Sequence, residues 1–151
     1  MDLSVVSKLQ SFCSYRDRSS FETRRKALSI GMNSEDWIEI ESHLFSEGFL
    51  NDQRFTENFI RSKIKHNSWG RLKIEQALSL HKIDKEIVSQ AWSIIDSTLY
   101  EQTLRLLLAN KWSLLNTKTS FDRKQSCIRF ALSKGFDLDE ILSAFKQLKL
   151  E

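Results

Sequence analysis

The feature that most constrains the fold is a tripeptide that recurs along the chain: Ala27-Leu28-Ser29, Ala77-Leu78-Ser79 and Ala131-Leu132-Ser133, spaced by 50 and then 54 residues. The surroundings recur too. A serine-aromatic pair precedes each copy (Ser20-Phe21, Ser68-Trp69, Ser120-Phe121), where the hydroxyl is expected to cap the first free amides of a helix. A break follows each copy (Gly31, His81-Lys82, Gly135), and then an acidic helix start: Ser34-Glu35-Asp36, Asp84-Lys85-Glu86 and Asp137-Leu138-Asp139-Glu140. Glycine suits the left-handed residue that ends a helix, and acids suit the positive end of the next.

Apolar residues at helical spacing follow those starts: Trp37, Ile40, Leu44 and Phe45; Ile87, Val88, Ala91, Trp92 and Ile95; Ile141, Leu142, Phe145 and Leu148. Upstream of each copy lies one more such segment, marked by Val5, Val6, Leu9 and Phe12, by Phe55, Phe59, Ile60 and Ile64, and by Leu104, Leu107, Leu108 and Trp112. The unit is therefore three helices used three times, over residues 1–51, 52–97 and 98–151. With no proline and four glycines in the chain, tight-turned β architectures are disfavoured. The expected fold is all-α, three tandem three-helix repeats stacked into an elongated, curved array.

Three segments carry a resemblance to a known family. Tyr15 to Leu28 (YRDRSSFETRRKAL) is similar to the opening helix pair of the RecX family. Gly48-Phe49-Leu50-Asn51-Asp52-Gln53-Arg54-Phe55, continuing through Arg61 to Gly70-Arg71-Leu72-Lys73-Ile74, resembles its G-[YF]-[LI]-[DN]-D-x-x-[FY] signature and the G-x-x-[RK]-I that follows. Arg129 to Asp137 (RFALSKGFD) resembles its C-terminal R-[FY]-L-x-x-[RK]-G-[FY]. The chain departs from the pattern at Ala77, where the family carries an acid, and at His81-Lys82, which replace Lys-Gly and leave the middle turn open. The resemblance implies a regulatory protein that docks on RecA and on the RecA filament on single-stranded DNA. It also implies inhibition of recombinase, ATPase and co-protease activities, and so modulation of DNA repair, recombination and the SOS response.

The residues themselves argue against catalysis. His43, His66 and His81 lie in separate segments without metal-ligand spacing, so they read as surface or satisfied histidines, and no metal or cofactor is expected. The dispersed glycines form no phosphate loop, no nucleophile elbow occurs, and no small-molecule substrate is expected. Cys13 and Cys127 have apolar neighbours and read as reduced core thiols. The start, Met1-Asp2-Leu3, carries an acid where a signal peptide carries bases, and no apolar run reaches the roughly 18 residues of a membrane span, so a cytosolic, membrane-free protein is expected.

Charge is where function is sought. The net balance runs from −2 over residues 1–50 to +2 over 51–97 and +3 over 98–151. Arg61, Lys63, Lys65, Arg71 and Lys73 have no acid between them and flank Trp69, a pattern suited to phosphate contact with an aromatic nearby. Arg24, Arg25 and Lys26 in the first repeat and Arg123, Lys124, Arg129 and Lys134 in the third are taken as their equivalents, so that one basic stripe tracks a DNA backbone. Solubilising helix faces are the competing reading for any one of them. Phe21, Trp69 and Phe121 read as buried anchors at helix starts. The acidic run Glu35, Asp36, Glu39, Glu41 and Glu47 is either a solvated face or a surface for a basic partner. A stand-alone helical DNA-binding protein, using its helices in single- or double-stranded DNA without RecA, is the alternative to a filament regulator.

Overall fold

The computed structural model describes residues 1–150. The described residues form nine α-helices and no strand: α1 (Leu3–Tyr15), α2 (Ser20–Ser29), α3 (Trp37–Ser46), α4 (Asp52–Asn67), α5 (Arg71–Leu80), α6 (Lys85–Ile94), α7 (Ser97–Leu114), α8 (Ser120–Ser133) and α9 (Leu138–Leu148). The helices come in threes, as the repeats require, and a single 3-10 turn over Ser34–Asp36 leads into α3.

Short polar residues set most of the helix starts. Asp2, Asn51, Asp84 and Asp96 accept amide hydrogens of the first turns of α1, α4, α6 and α7. Asp137 and Glu140 form a reciprocal capping box on α9. The caps of α2 and α8 are not the predicted Ser20 and Ser120 but the residues before them. Ser19 accepts from the Glu22 amide and Thr119 from the Asp122 amide, because these residues hold the extended backbone a cap needs. Ser68 does not hold the cap position of α5: it stands at φ 54° just past α4, and α5 begins only at Arg71.

The turns correct the repeat register. Gly31 and Gly135 both stand at φ 100° and donate to the carbonyls of Leu28 and Leu132. In the middle set it is Lys82 that stands at φ 53° and donates to Ser79, so Lys82 takes the glycine position. Counting back from the turn, the buried Ala27 and Ala131 correspond to Leu78, not to Ala77. The middle tripeptide is thus one residue out of register, and its match to the others is coincidental. Arg25 and Arg129 then share a position with Gln76, and Arg24 and Lys26 share theirs with Glu75 and Ala77.

The described chain packs as two compact units: Met1–Phe59 with Leu78–Ser93, and Ile60–Ala77 with the residues from Ile94 onward. In the first, Val5, Leu9, Ala27, Trp37, Ile40 and Leu44 form the core, with Cys13 buried beside them. In the second, Leu108, Trp112, Ala131, Phe136, Ile141 and Phe145 surround a fully buried Cys127. Burial pushes both thiols above their ordinary range, in keeping with inert core cysteines. Three predicted core residues are instead exposed: Phe45 by 63%, Leu142 by 39% and Phe121 by 71%.

Candidate nucleic-acid interface

The basic residues around Trp69 all belong to the second unit. The last two turns of α4 bury Ile60 and Ile64 completely, and helical periodicity then turns Arg61 and Lys65 to solvent and leaves Lys63 half-buried. The helix closes on its own carbonyls: the Ser68 amide donates to Ile64 and the Trp69 amide to Lys63. The chain folds back there, so that the ammonium groups of Lys63 and Lys73 lie 4.9 and 4.8 Å from the centroid of the half-buried Trp69 ring.

Gly70 fixes where α5 begins. Its amide donates to the Lys134 carbonyl at 2.7 Å, and the Leu72 amide donates to the Gly135 carbonyl at 3.0 Å. A Cβ on Gly70 would stand 2.3 Å from the backbone of Gly135 and Phe136, and one on Gly135 would stand 2.5 Å from the Lys73 Cβ. The α5 N-terminus therefore sits backbone to backbone on the α8–α9 turn, whose carbonyls satisfy amides that a side-chain cap would otherwise take. Tyr100 completes the lock, its hydroxyl accepting from the Arg71 amide at 2.9 Å and donating to Glu140 at 3.1 Å. Burial raises the Tyr100 hydroxyl and the Glu140 carboxyl above their ordinary ranges.

This lock carries Lys134 to the first basic group. Its ammonium donates to the Asn67 carbonyl at 3.2 Å, at the negative end of α4, and lies 5.8 Å from the Phe130 ring. Lys111 approaches the same ring at 4.8 Å. Trp69 and Phe130 thus each hold two lysines, and Lys134 links the two sets. Exposed cation–π contacts of this kind contribute only about 0.5–1 kcal/mol each, so they orient the ammoniums more than they hold the fold. This face therefore combines clustered positive charge with two half-exposed aromatic rings.

The other predicted contact residues divide. Arg71 pairs with Glu75 at 2.8 Å. Arg123 is a packing residue: its guanidinium lies 4.0 Å over Trp112, it donates to the Trp112 carbonyl, and its Nε is buried without a hydrogen-bond partner. Lys124 is exposed and lines a separate cleft of about 520 Å³ with Lys146 and Lys149. Arg129 is exposed and donates to Ser126. In the first unit Arg24 is exposed, Arg25 and Lys82 flank Phe21 at 5.9 and 5.5 Å, and Lys26 joins Arg18 around Phe12.

Sequence reasoning passed over Lys111, Phe130, Lys82 and Arg18. Two signals were present in the i, i+4 pairs Phe130–Lys134 and Phe21–Arg25, which place ring and cation on one helix face. Among the histidines, His81 is satisfied: Nδ1 is 2.7 Å from the Ser19 hydroxyl, and its ring packs on Phe55 and Phe59. Among the described residues no group of three or more His, Cys, Asp or Glu is placed to hold a metal ion, and no helix is long and apolar enough to cross a membrane.

Residues 51–91 match the family model described as the second three-helix domain of RecX. The regulatory protein RecX of Lactococcus lactis subsp. cremoris (strain SK11) is 30% identical over 143 residues, which cover 93% of this chain and 53% of that protein. The chain therefore spans about half the length of the lactococcal relatives it matches. The regulatory protein RecX of Pelodictyon phaeoclathratiforme (strain DSM 5477 / BU-1) is 31% identical over 136 residues, covering 89% of this chain and 82% of that protein. The chain belongs to the RecX family. The fold agrees: a crystal structure of RecX from Lactobacillus salivarius superposes with a TM-score of 0.85 at 21% identity, over 99% of this chain and all of that one. The Gly70–Gly135 contact and the lysine-flanked Trp69 are thus features of a RecX-family chain.

Proposed function

We propose that this protein binds RecA and the RecA filament on single-stranded DNA and inhibits its strand exchange, ATP hydrolysis and co-protease activity, acting as a cytoplasmic, non-enzymatic regulator of recombination, DNA repair and the SOS response. Membership of the RecX family supports the regulatory role. The observation that carries the DNA part is the second unit's pair of rings, Trp69 and Phe130, each flanked by two lysines and joined through Lys134. Ammonium groups set beside stacking surfaces suit a strand backbone and discriminate little between sequences.

In this reading Arg61, Lys63, Lys65, Lys73 and Lys134 make the principal phosphate contacts, Arg71 and Arg129 stand at their margin, and the first unit adds Arg24, Arg25 and Lys26. Lys124 contacts phosphate from its own cleft, and Arg123 supports Trp112 instead of reaching DNA. The working repeats are residues 1–51, 52–97 and 98–151. Replacing Arg61, Lys63 and Lys65 together by alanine tests the assignment. Each lost phosphate contact removes about 0.7 from the slope of log K against log salt on a single strand, so the triple variant flattens the slope by about 2. An unchanged slope with unchanged helicity returns these residues to ordinary surface. Sequence-specific duplex binding that persists at high salt without RecA would favour a stand-alone DNA reader instead.

A further inference from the structure

Helix α3 is apolar on two faces. Trp37, Ile40 and Leu44 enter the core of the first unit, yet Ile38 and Phe45, seven residues apart on the other face, are 80% and 63% exposed. They are not scattered surface residues: with Leu50 and Ile87 they line one cleft of about 650 Å³. The charged residues lining it are Glu41 and Asp52, and no base lines it.

Both carboxylates are held in place by Ser20, whose hydroxyl donates to Glu41 and whose amide donates to Asp52 at 2.8 Å. Among the described residues neither forms an ion pair. Burial, and the neighbouring Glu41 charge, push the Asp52 carboxyl above its ordinary range, so a cation brought alongside relieves an existing cost. An apolar floor with two fixed, cation-free carboxylates describes the complement of its occupant: a large apolar side chain with a lysine or arginine beside it. Nucleic acid, which is anionic, is the wrong chemistry for this cleft.

We propose that the cleft between α3 and the start of α4 is the protein-docking site of the molecule, and that it takes a basic, apolar surface segment of the RecA protomer. The proposal rests on the filament reading above and divides its labour, with the first unit gripping protein and the lysine-flanked rings of the second meeting the strand.

Ile38→Lys places a cation where the segment docks, at a side chain so exposed that folding does not depend on it, and Asp52→Asn removes one charge while keeping the acceptor for the Ser20 amide. Leu114→Lys, at a residue 77% exposed in the second unit, makes the same change outside the cleft. Binding of the full chain is measured by fluorescence anisotropy against RecA filaments assembled on oligo(dT) and against bare oligo(dT). Ile38→Lys is expected to weaken filament binding by about tenfold or more, the effect of a charge opposed at a docking centre. Asp52→Asn weakens it less, Leu114→Lys leaves it unchanged, and all three bind bare oligo(dT) as wild type does. Filament binding by Ile38→Lys and Asp52→Asn equal to wild type overturns the docking site and leaves the filament reading intact. A wild-type chain that binds bare strand but no filament overturns the filament reading itself. If sedimentation shows wild type self-associating and Ile38→Lys monomeric, the occupant is a second copy and the assignment to RecA is wrong.

Discussion

Replacing Gly70 by alanine isolates the closest backbone approach in the second unit. Gly70 is not among the positive-φ glycines, so alanine fits its local conformation, and the whole cost comes from the 2.3 Å approach of the new Cβ to Gly135 and Phe136. Overpacking of this kind costs about 1–3 kcal/mol. Relieving it by moving α5 outward stretches the Gly70–Lys134 and Leu72–Gly135 hydrogen bonds, at about 1 kcal/mol each. Alanine recovers about 0.4–1 kcal/mol by restricting the unfolded chain, which leaves a net loss of about 2–4 kcal/mol. For a chain of this length that lowers the melting temperature by roughly 5–15 °C.

Gly31→Ala is the contrasting case: its Cβ meets nothing within 4 Å, but φ is 100°, so the cost is backbone strain of about 1–2 kcal/mol. Hydrogen exchange separates the two, since Gly70→Ala should lose protection at the Gly70 and Leu72 amides and Gly31→Ala should not. Wild-type melting and full protection at those amides in Gly70→Ala would refute the close approach.

The other predictions concern single groups. Tyr100→Phe deletes the acceptor of the Arg71 amide and the donor to Glu140, and should cost about 1–3 kcal/mol in urea unfolding; no loss would mean that water replaces the hydroxyl freely. Burial lowers the His81 pKa below its usual 6.5, so its neutral form contributes stability that is present above pH 6.5 and lost as pH falls through the lower folded value. Wild type should therefore lose stability below pH 6.5 more steeply than His81→Gln, and parallel urea midpoints would contradict this. Cys13 and Cys127 should react with a thiol reagent only as fast as the units open, and immediate labelling of the native protein would show that they are not core thiols.

Much of the helical framework was legible because its signals are local. Asp84 and Asp137 cap α6 and α9 where an acid before an apolar stripe predicts a start, and the stripes at Val5, Ile64 and Leu108 are buried as their spacing requires. Register was not legible from three identical residues: Ala77-Leu78-Ser79 copies the letters of the other repeats, while the left-handed residue, one position further from the tripeptide at Lys82 than at Gly31 and Gly135, decides which side chain is buried. The start of α5 was hidden for a related reason. The Gly70 and Leu72 amides at its start are satisfied by carbonyls more than sixty residues away and the Arg71 amide by the Tyr100 hydroxyl, so no capping residue announces it. Periodicity also cannot tell a core face from a second apolar face, which is why Phe45 was counted with Leu44 and the cleft beside it went unnoticed.

The basic site was half legible. Bases that flank Trp69 in the sequence also gather around it in the fold, because the chain reversal after Asn67 brings Lys63 and Lys73 to one ring. Lys111 and Phe130, from α7 and α8, join only through packing within the second unit, which a linear reading does not contain. Arg123 shows the opposite case, a base in a promising run that is spent on packing against Trp112.

In the proposed reading this protein regulates the RecA filament. The most direct test is RecA-catalysed ATP hydrolysis on single-stranded DNA, followed as this protein is added up to stoichiometric excess. Regulation of the filament predicts a hydrolysis rate that falls with added protein, and a weaker fall with the Arg61, Lys63 and Lys65 alanine variant. A rate that stays constant at excess wild-type protein would contradict it.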